Sequence, residues 1–194
     1  SADESVRCVV LTGSGRAFSV GQDLREHITL LQQQPDQVWR TVREHYNPIV
    51  ALISGMDKPV IASLNGIAAG AGASIAFAAD LRYLADSAGF TLSFAGVGLS
   101  CDSGASWTLP QLVGVAKAKE LMMLGARIDS AEALNLGLAT EVVPADGLAA
   151  HVGAVASRLA QGPTLALGAI RRAVAHAAGS DLASALTFEA DLMD

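Results

Sequence analysis

The sequence predicts an α/β fold in which an alternating core is followed by a helical C-terminal part. Short apolar runs alternate with helical patterns and are predicted as strands, at residues 8–11, 59–64, 81–85, 90–94 and 139–143. Beyond about residue 148 only helical segments follow, separated near Gly162-Pro163 and Gly179-Ser180. We therefore predict a core over residues 1–143 and a helical region over residues 144–194.

Composition favours a globular protein with few charges on its surface. Of the 194 residues, 51% are hydrophobic and only 16% are charged, so we expect other subunits to cover part of the apolar surface. The formal net charge is −6 and the sequence contains no basic cluster. This balance argues against nucleic acid or an anionic membrane as the main partner.

The cysteine content and the hydropathy pattern predict a cytoplasmic protein without a metal site. Cys8 and Cys101 form neither a disulfide framework nor a metal-binding knuckle. No signal peptide is recognised, and no apolar run has the length of a membrane span.

The stretch from Lys58 to Asp80 is the centre of the predicted fold. A strand leads to an Asn65-Gly66 turn, then to a loop of small residues over 68–72 and a helix from about Ala73. Small residues let the backbone approach a ligand, and a helix start offers free N–H groups at the positive end of its dipole. The stretch could therefore hold negative charge on oxygen, or it could be a tight turn packed in the core.

The remaining segments give weaker signals. A turn-rich loop over 16–22 leads to a helix that starts near Asp23, and a helical pattern over 35–56 is interrupted at Pro48. Helices are also predicted over 107–113 and 116–124, and another follows a cap at Asp129 or Ser130. Gly13 and Gly15 lack the third glycine of a dinucleotide fingerprint, which disfavours that function.

The order of motifs resembles the crotonase superfamily of enoyl-CoA hydratases, isomerases and related acyl-CoA enzymes. The resemblance covers nearly the whole chain and is carried by Val9 to Gly13, Ala17 to Leu24, Lys58 to Gly72, Gly96 to Asp102 and Ala131 to Ala139. It implies a crotonase-like spiral of ββα turns with C-terminal helices packed in a homotrimer or a dimer of trimers. It also implies further family segments before Val9 and after Asp194.

The resemblance implies an acyl-CoA site with coenzyme A as part of the substrate and no other cofactor. The backbone N–H groups of Gln22 and Ala71 would form an oxyanion hole for a thioester enolate. The loop carrying Ser19, Val20, Asp23 and Leu24 would hold coenzyme A. The other residues implied in substrate binding are Gly66, Gly70 and Phe94.

The residues around the implied enolate favour an isomerase. Family hydratases usually carry glutamates at the positions of Ser74 and Phe94, neither of which can act as a base here. Asp102 matches the catalytic aspartate of dienoyl-CoA and epoxyphenylacetyl-CoA isomerases. A related dehalogenase carries a histidine at the position of Asn47, which makes dehalogenation improbable.

Tyr46-Asn47-Pro48 and Trp107 to Pro110 further resemble the phenylacetate-pathway isomerases. The alternatives are a hydratase-type lyase and a non-catalytic acyl-CoA binder. From local sequence alone, Asp102 could instead cap the helix that follows it.

Other conspicuous side chains are given structural interpretations. Trp39 and Trp107 are expected in the core or in a pocket wall. The histidines are expected on solvated helix faces: His27, His45, His151 and His176.

Overall fold

A computed structural model describes residues 3–38, 40–125 and 127–193 of the chain. Within these ranges the strands form two four-stranded sheets, and helices connect and cover them. No helix in these ranges combines the length and hydropathy that a membrane span requires.

The first sheet contains most of the strands that the sequence predicts. Its order is β1-β3-β5-β8 and all its neighbours are parallel, with the bounds β1 (Val9–Thr12), β3 (Val60–Leu64), β5 (Leu81–Ala85) and β8 (Glu141–Val143). All the residues of β3 are buried, as expected for a central parallel strand that is covered on both faces. The predicted strands agree with these bounds to within two residues.

The second sheet consists of strands of three residues each. Its order is β2-β4-β6-β7, with the bounds β2 (Ala17–Ser19), β4 (Ile67–Ala69), β6 (Gly89–Thr91) and β7 (Arg127–Asp129). Only β6 and β7 run antiparallel. The sequence predicts loops at β2 and β4, and that prediction is wrong. Three residues are too few to show the period of a strand, so the pairing partners decide.

Each turn of the fold passes from the first sheet to the second and then to a helix. The helices are α1 (Leu24–Gln33), α2 (Asn47–Gly55), α3 (Ala71–Ala78), α4 (Ala105–Val113), α5 (Val115–Met123), α6 (Ser130–Asn135), α7 (Leu148–Gln161), α8 (Thr164–Ala177) and α9 (Leu182–Asp191). The succession β1-β2-α1 recurs as β3-β4-α3, which is the implied ββα spiral.

Asn65 links adjacent turns of the spiral. Its side-chain Oδ1 accepts a hydrogen bond from the N–H of Gly13 at 2.9 Å, and its Nδ2 donates to the carbonyl of Gly15 at 2.8 Å. A Cβ on the neighbouring Gly66 would lie 2.1 Å from the carbonyl oxygen of Arg16. The Asn-Gly turn is therefore required by close backbone packing.

The predicted helix over 35–56 is divided into three segments. A 3-10 turn spans Pro35–Gln37, a π-helix spans Val42–Tyr46, and α2 follows at once with Pro48 in its first turn. Trp39 lies outside the described residues.

The C-terminal region forms the three predicted helices. In α7, Leu148 and Val152 are buried and join the main core. Helix α8 is tied to the rest of the chain by an ion pair between Arg171 and Asp80, with a 2.7 Å separation of Nε and Oδ1. The proposed boundary between residues 143 and 144 stays a prediction.

Candidate active site

The junction of β4 and α3 exposes the start of a helix. Gly70 has φ +52°, a conformation that side chains rarely adopt, and its N–H donates to the carbonyl of Thr91 at 3.1 Å. Helix α3 then begins at Ala71, two residues earlier than the sequence predicts. The N–H of Ala71 is one of the groups that a helix start leaves without an intrahelical acceptor.

A second loop packs directly against this junction. Gly21 has φ +79°, and a Cβ at that position would lie 3.2 Å from the carbonyl oxygen of Ala69 and 3.3 Å from the nitrogen of Ala71. Only a residue without a side chain allows this approach, which brings Gln22 beside the start of α3. Neither Gln22 nor Ala71 donates its backbone N–H to a carbonyl within the described ranges.

The two loops border a cavity of about 180 Å³. Residues predicted for the site that line it are Val20, Gln22, Leu24, Gly70, Ala71, Phe94 and Asp102. The other lining residues are Gly21, His27, Tyr46, Ala69, Thr91, Ser93, Val97 and Leu99. The fold thus brings together four parts of the chain: residues 20–27, Tyr46, residues 69–71 and residues 91–102.

Three residues predicted for substrate binding lie outside the cavity lining. Ser19 belongs to β2, and its Oγ accepts a hydrogen bond from the N–H of Gly21 at 3.3 Å. Asp23 is the N-cap of α1 and accepts from the N–H of Arg25 at 2.8 Å. The third, Gly66, occupies the packed turn described above. Each residue therefore has a structural role in supporting or connecting the loops.

Asp102 does not cap the helix that follows it. The N-cap of α4 is Gly104, with φ +80°, and no side chain caps this end. The Asp102 Oδ1 accepts a hydrogen bond from the Oγ of Ser103 at 2.9 Å. Ser103 itself has φ +52°, unusual for a residue with a side chain, and is buried. The interpretation of Asp102 as an N-cap is therefore wrong, and the residue lines the cavity.

Ser74 connects the two halves of the site. It is fully buried, and its Oγ lies 3.3 Å from the carbonyl oxygen of Gly70 and 3.2 Å from that of Asp102. One hydroxyl proton is shared between these acceptors, so Ser74 fixes the Asp102 loop against the start of α3. Phe94 supplies an apolar wall. Among the described residues that line the cavity, Asp102 is the sole carboxylate.

Sequence reasoning missed four polar residues of the cavity wall, of which two, Tyr46 and His27, have ionisable side chains. Tyr46 is half-buried, and burial, followed by the charges of Asp102 and Glu26, raises the pKa of its hydroxyl. His27 is also half-buried and lines the cavity, so the prediction of a solvated face is wrong. Its position three residues after Leu24, on the same helix face, is the signal that could have identified it.

The Gln22 side chain adds an unusual feature. Its Nε2 is buried and has no hydrogen-bond partner among the described residues. A buried polar atom without a partner is costly, and a bound ligand with an acceptor oxygen would relieve that cost.

The other histidines occupy different surroundings. His45 is exposed, as predicted. His151 and His176 are half-buried: the Nε2 of His151 lies 3.1 Å from Glu141, and His176 stacks on the ring of Phe188. The solvated-face prediction is therefore wrong for these two.

Larger cavities exist, but they contain none of the predicted site residues. One of about 440 Å³ lies between α3, α4 and α8, and Trp107, 53% exposed, forms part of its wall. Of its charged residues, Asp80 pairs with Arg171, and the guanidinium of Arg82 donates to the backbone carbonyls of Leu138 and Ala79. Another, of about 950 Å³, is a groove along α8 and α9. Chemistry therefore favours the smaller cavity over the larger ones.

Comparison with known proteins places the chain in one family. The family model described as enoyl-CoA hydratase/isomerase matches residues 1–194. The 1,2-epoxyphenylacetyl-CoA isomerase of Escherichia coli is 38% identical over 97% of this chain and 72% of its own length. A Rhodobacter capsulatus protein named a probable enoyl-CoA hydratase is 39% identical over 96% of this chain and 71% of its own length.

Solved structures agree with this placement. A crystal structure of an enoyl-CoA hydratase/isomerase family protein from Mycobacterium abscessus superposes with a TM-score of 0.95 at 38% identity. That superposition covers 99% of this chain and 74% of the other. The enoyl-CoA hydratase of Bacillus anthracis superposes with a TM-score of 0.91 at 31% identity, covering 99% of this chain and 73% of its own. The chain therefore belongs to the enoyl-CoA hydratase/isomerase family of acyl-CoA-processing enzymes and has the crotonase fold.

Proposed function

We propose that the protein is an acyl-CoA isomerase that forms a thioester enolate and returns the abstracted proton to a different carbon. The observation that supports this proposal is the position of Asp102. Its carboxylate caps no helix, and the residue lines the same small cavity as the loops of Gln22 and Ala71. The resemblance to the E. coli 1,2-epoxyphenylacetyl-CoA isomerase supports it and suggests phenylacetate catabolism as the setting.

The enolate oxygen would be held by the backbone N–H groups of Gln22 and Ala71. Both donors are fixed by close backbone packing, so they need little rearrangement as charge develops on the oxygen. The positive end of the α3 dipole acts in the same direction. One oxyanion-hole donor typically contributes about 10²–10³ to the rate.

Asp102 would act as the general base and then as the general acid. Its carboxylate removes a proton from the substrate carbon, and the resulting carboxylic acid protonates a second carbon of the delocalised enolate. Ser74 and Ser103 hold the Asp102 loop in place, which keeps the carboxyl group within reach of both carbons. A single carboxylate is sufficient for this transfer because the proton that leaves is the one that returns.

A hydratase-type lyase is the second candidate, favoured by the names of relatives such as the R. capsulatus protein. Hydration requires a water that is both oriented and activated. The positions that usually supply glutamates for this purpose hold Ser74, which is bonded to two carbonyls, and Phe94, which is apolar. These residues favour the isomerase.

A non-catalytic acyl-CoA binder is the remaining alternative. Such a protein would keep the oxyanion hole and lose the proton transfer.

Coenzyme A would enter as part of the substrate, with no further cofactor, along the loop from Ser19 to Leu24. Thioesters should therefore bind far better than the free acids, because the site recognises the carrier as well as the acyl group. Calorimetry that gave equal affinities for acid and thioester would contradict this assignment.

A cytoplasmic location remains a prediction from composition.

The exposed apolar faces of α8 and α9 support an assembled protein, which we propose to be a trimer or a dimer of trimers. Leu165 is 90% exposed, and Val174 and Leu182 are mostly exposed as well. Light scattering at micromolar concentration measures the assembly directly, and a homogeneous monomer would rule it out.

The decisive experiment incubates the purified protein with a panel of enoyl- and epoxyacyl-CoA thioesters, followed by mass and ultraviolet absorbance. Isomerisation leaves the mass unchanged while the absorbance changes. Hydration adds one water, and a binder changes neither quantity. Addition of water to every substrate that reacts would replace the isomerase by the hydratase.

A further inference from the structure

Tyr46 lies where the backbone departs from a regular α-helix. It is the last residue of the π-helix Val42–Tyr46, and the N–H of Asn47 donates to the carbonyl of Val42, five residues earlier. The ring of Pro48 has no N–H and would clash with the carbonyl four residues before it in a regular helix, which explains the wider turn. Single π turns within helices occur frequently at functional sites.

This turn carries the side chain of Tyr46 to the cavity wall that also holds Asp102. Within the described ranges the Tyr46 hydroxyl makes no hydrogen bond to another residue. A hydroxyl donor and a carboxylate acceptor thus border the same cavity of about 180 Å³ without bonding to each other. Such an arrangement suits a ligand that gives up a proton at one atom and accepts one at another.

The electrostatic surroundings keep this hydroxyl protonated. Burial and the negative charges of Asp102 and Glu26 raise the pKa of Tyr46. The group is therefore available as a proton donor throughout the neutral range.

We propose that Tyr46 is a catalytic general acid, and that it serves acyl-CoA thioesters with an oxygen bonded to the β-carbon. This inference rests on the proposed function, because the oxygen leaves only after Asp102 has removed the α-proton. The N–H groups of Gln22 and Ala71 hold the thioester oxygen at that moment. A second oxygen that develops negative charge therefore needs its own donor.

The step balances without another reactant. With 3,4-epoxybutanoyl-CoA, Asp102 takes the α-proton, and the electron pair of that C–H bond forms the double bond between the α- and β-carbons. The bond from the β-carbon to oxygen breaks, and the oxygen takes the proton of the Tyr46 hydroxyl. The product is 4-hydroxy-2-butenoyl-CoA, an isomer of the substrate. The protonated Asp102 then returns its proton to the tyrosinate.

A matched substrate isolates the role of Tyr46. In 3-butenoyl-CoA, which has an alkene in place of the epoxide, Asp102 removes the same α-proton but no oxygen leaves. Both reactions give a conjugated 2-enoyl thioester, so one absorbance assay follows them, and mass spectrometry confirms that no water is added.

The test compares Tyr46→Phe with Tyr83→Phe in the same protein. The sequence contains 2 tyrosines, and Tyr83 is buried in β5 against the ring of His151, outside the cavity lining. We expect Tyr46→Phe to lower kcat for the epoxide about 10²-fold or more, the usual contribution of a general acid. The loss of kcat for 3-butenoyl-CoA should be at least about tenfold smaller than the loss for the epoxide. Tyr83→Phe should leave the ratio of the two kcat values unchanged.

The outcomes separate this inference from the proposed function. Equal losses of kcat for both substrates, or no loss for either, would overturn the role of Tyr46 while leaving the isomerase in place. If the parent protein converts neither substrate, the isomerase fails, and calorimetry with the two thioesters decides. If the parent protein binds the epoxide thioester more tightly than 3-butenoyl-CoA and Tyr46→Phe abolishes that difference in affinity, a hydrogen bond from Tyr46 to the epoxide oxygen is supported. If the parent shows no such difference in affinity, or Tyr46→Phe retains it, the inference is overturned.

Discussion

The segment from β3 to α3 and the α8–α9 pair are both rich in small and aliphatic residues, yet their surroundings are opposite. All of β3 and most of α3 are buried. In α8 the only buried residue is Gly168, and in α9 none of the described residues is buried. Composition alone does not distinguish these two regions.

Backbone distances explain the difference. A Cβ on Gly72 would lie 2.3 Å from the carbonyl oxygen of Ser19, so the first region packs backbone against backbone. Helix α8 has one such contact, where a Cβ on Gly168 would lie 2.6 Å from the carbonyl oxygen of Asp57. The ion pair of Arg171 with Asp80 fixes it further. The other residues of α8 are half-buried or exposed, and its exposed apolar side chains suit contact between subunits. The packed region suits a site that must hold its geometry.

The largest effect is expected from Asp102→Asn, in the loop that Ser74 of α3 joins to the packed region. The amide can still accept the hydrogen bond from Ser103, so the loop should keep its shape, but it cannot transfer the proton. Turnover should fall about 10²–10⁴-fold, and exchange of the substrate's α-protons in deuterated water should disappear.

Calorimetry provides the control for Asp102→Asn. Acyl-CoA affinity should remain close to that of the parent. A variant that folds, binds and turns over normally would show that Asp102 has no catalytic role.

The same contrast shows how far the sequence predicts the molecule. The apolar run over 60–64, the Asn65-Gly66 turn and the C-terminal helices follow from local pattern, and the structure confirms them. Strands β2 and β4 of the second sheet do not, because three residues carry no readable period and only their partners across the sheet define them. The predicted strand over 90–94 overlaps β6 (Gly89–Thr91).

Side chains of the site show the same limit. Asp102 has the local pattern of a helix cap, but the left-handed turn at Ser103 and Gly104 moves the cap to Gly104. Tyr46 lines the cavity from the end of a π turn before Pro48, which the local pattern does not reveal. Backbone conformations of this kind depend on neighbours that are distant in the sequence.

Ala71→Pro tests the oxyanion role of the packed region at one atom. Ala71 is the first residue of α3, a position at which proline is tolerated because the missing N–H has no intrahelical acceptor. We expect a loss in kcat of about 10²–10³-fold, as for other oxyanion-hole donors. Ala71→Gly keeps the N–H and should have a mild effect. Full activity in a Ala71→Pro variant with an unchanged circular dichroism spectrum would remove Ala71 from the proposed site.

Matched leucine truncations measure the difference in packing between the two regions. Leu64 is fully buried in β3, so Leu64→Ala should lower the free energy of unfolding by about 2–5 kcal/mol. Leu165 is 90% exposed in α8, so Leu165→Ala should change it by less than about 0.5 kcal/mol in the monomer. Urea unfolding at several protein concentrations gives both values. A loss for Leu165→Ala that grows with protein concentration would show that another subunit covers this face.

The smallest effect is expected at the start of α9, where Asp181 accepts a hydrogen bond from the N–H of Ser184 at 2.8 Å. Hydrogen bonds from Ser184 lower the pKa of Asp181 below its ordinary value of 3.8. At pH values between the lowered pKa and 3.8, Asp181 binds fewer protons in the folded helix than in the unfolded chain. The stabilisation is therefore present above pH 3.8 and is lost as the pH falls through the lowered pKa.

Asp181→Ala should increase amide exchange in the first turn of α9 at neutral pH, because the cap is gone. Asp181→Asn should keep the protection of these amides at neutral pH, since asparagine caps as well as aspartate. It should also keep that protection in acid, because the amide side chain does not titrate. If Asp181→Ala exchanged like the parent protein, the end of α9 would be held by contacts other than its cap, and the contrast between the open and the packed region would be weaker than the exposures indicate.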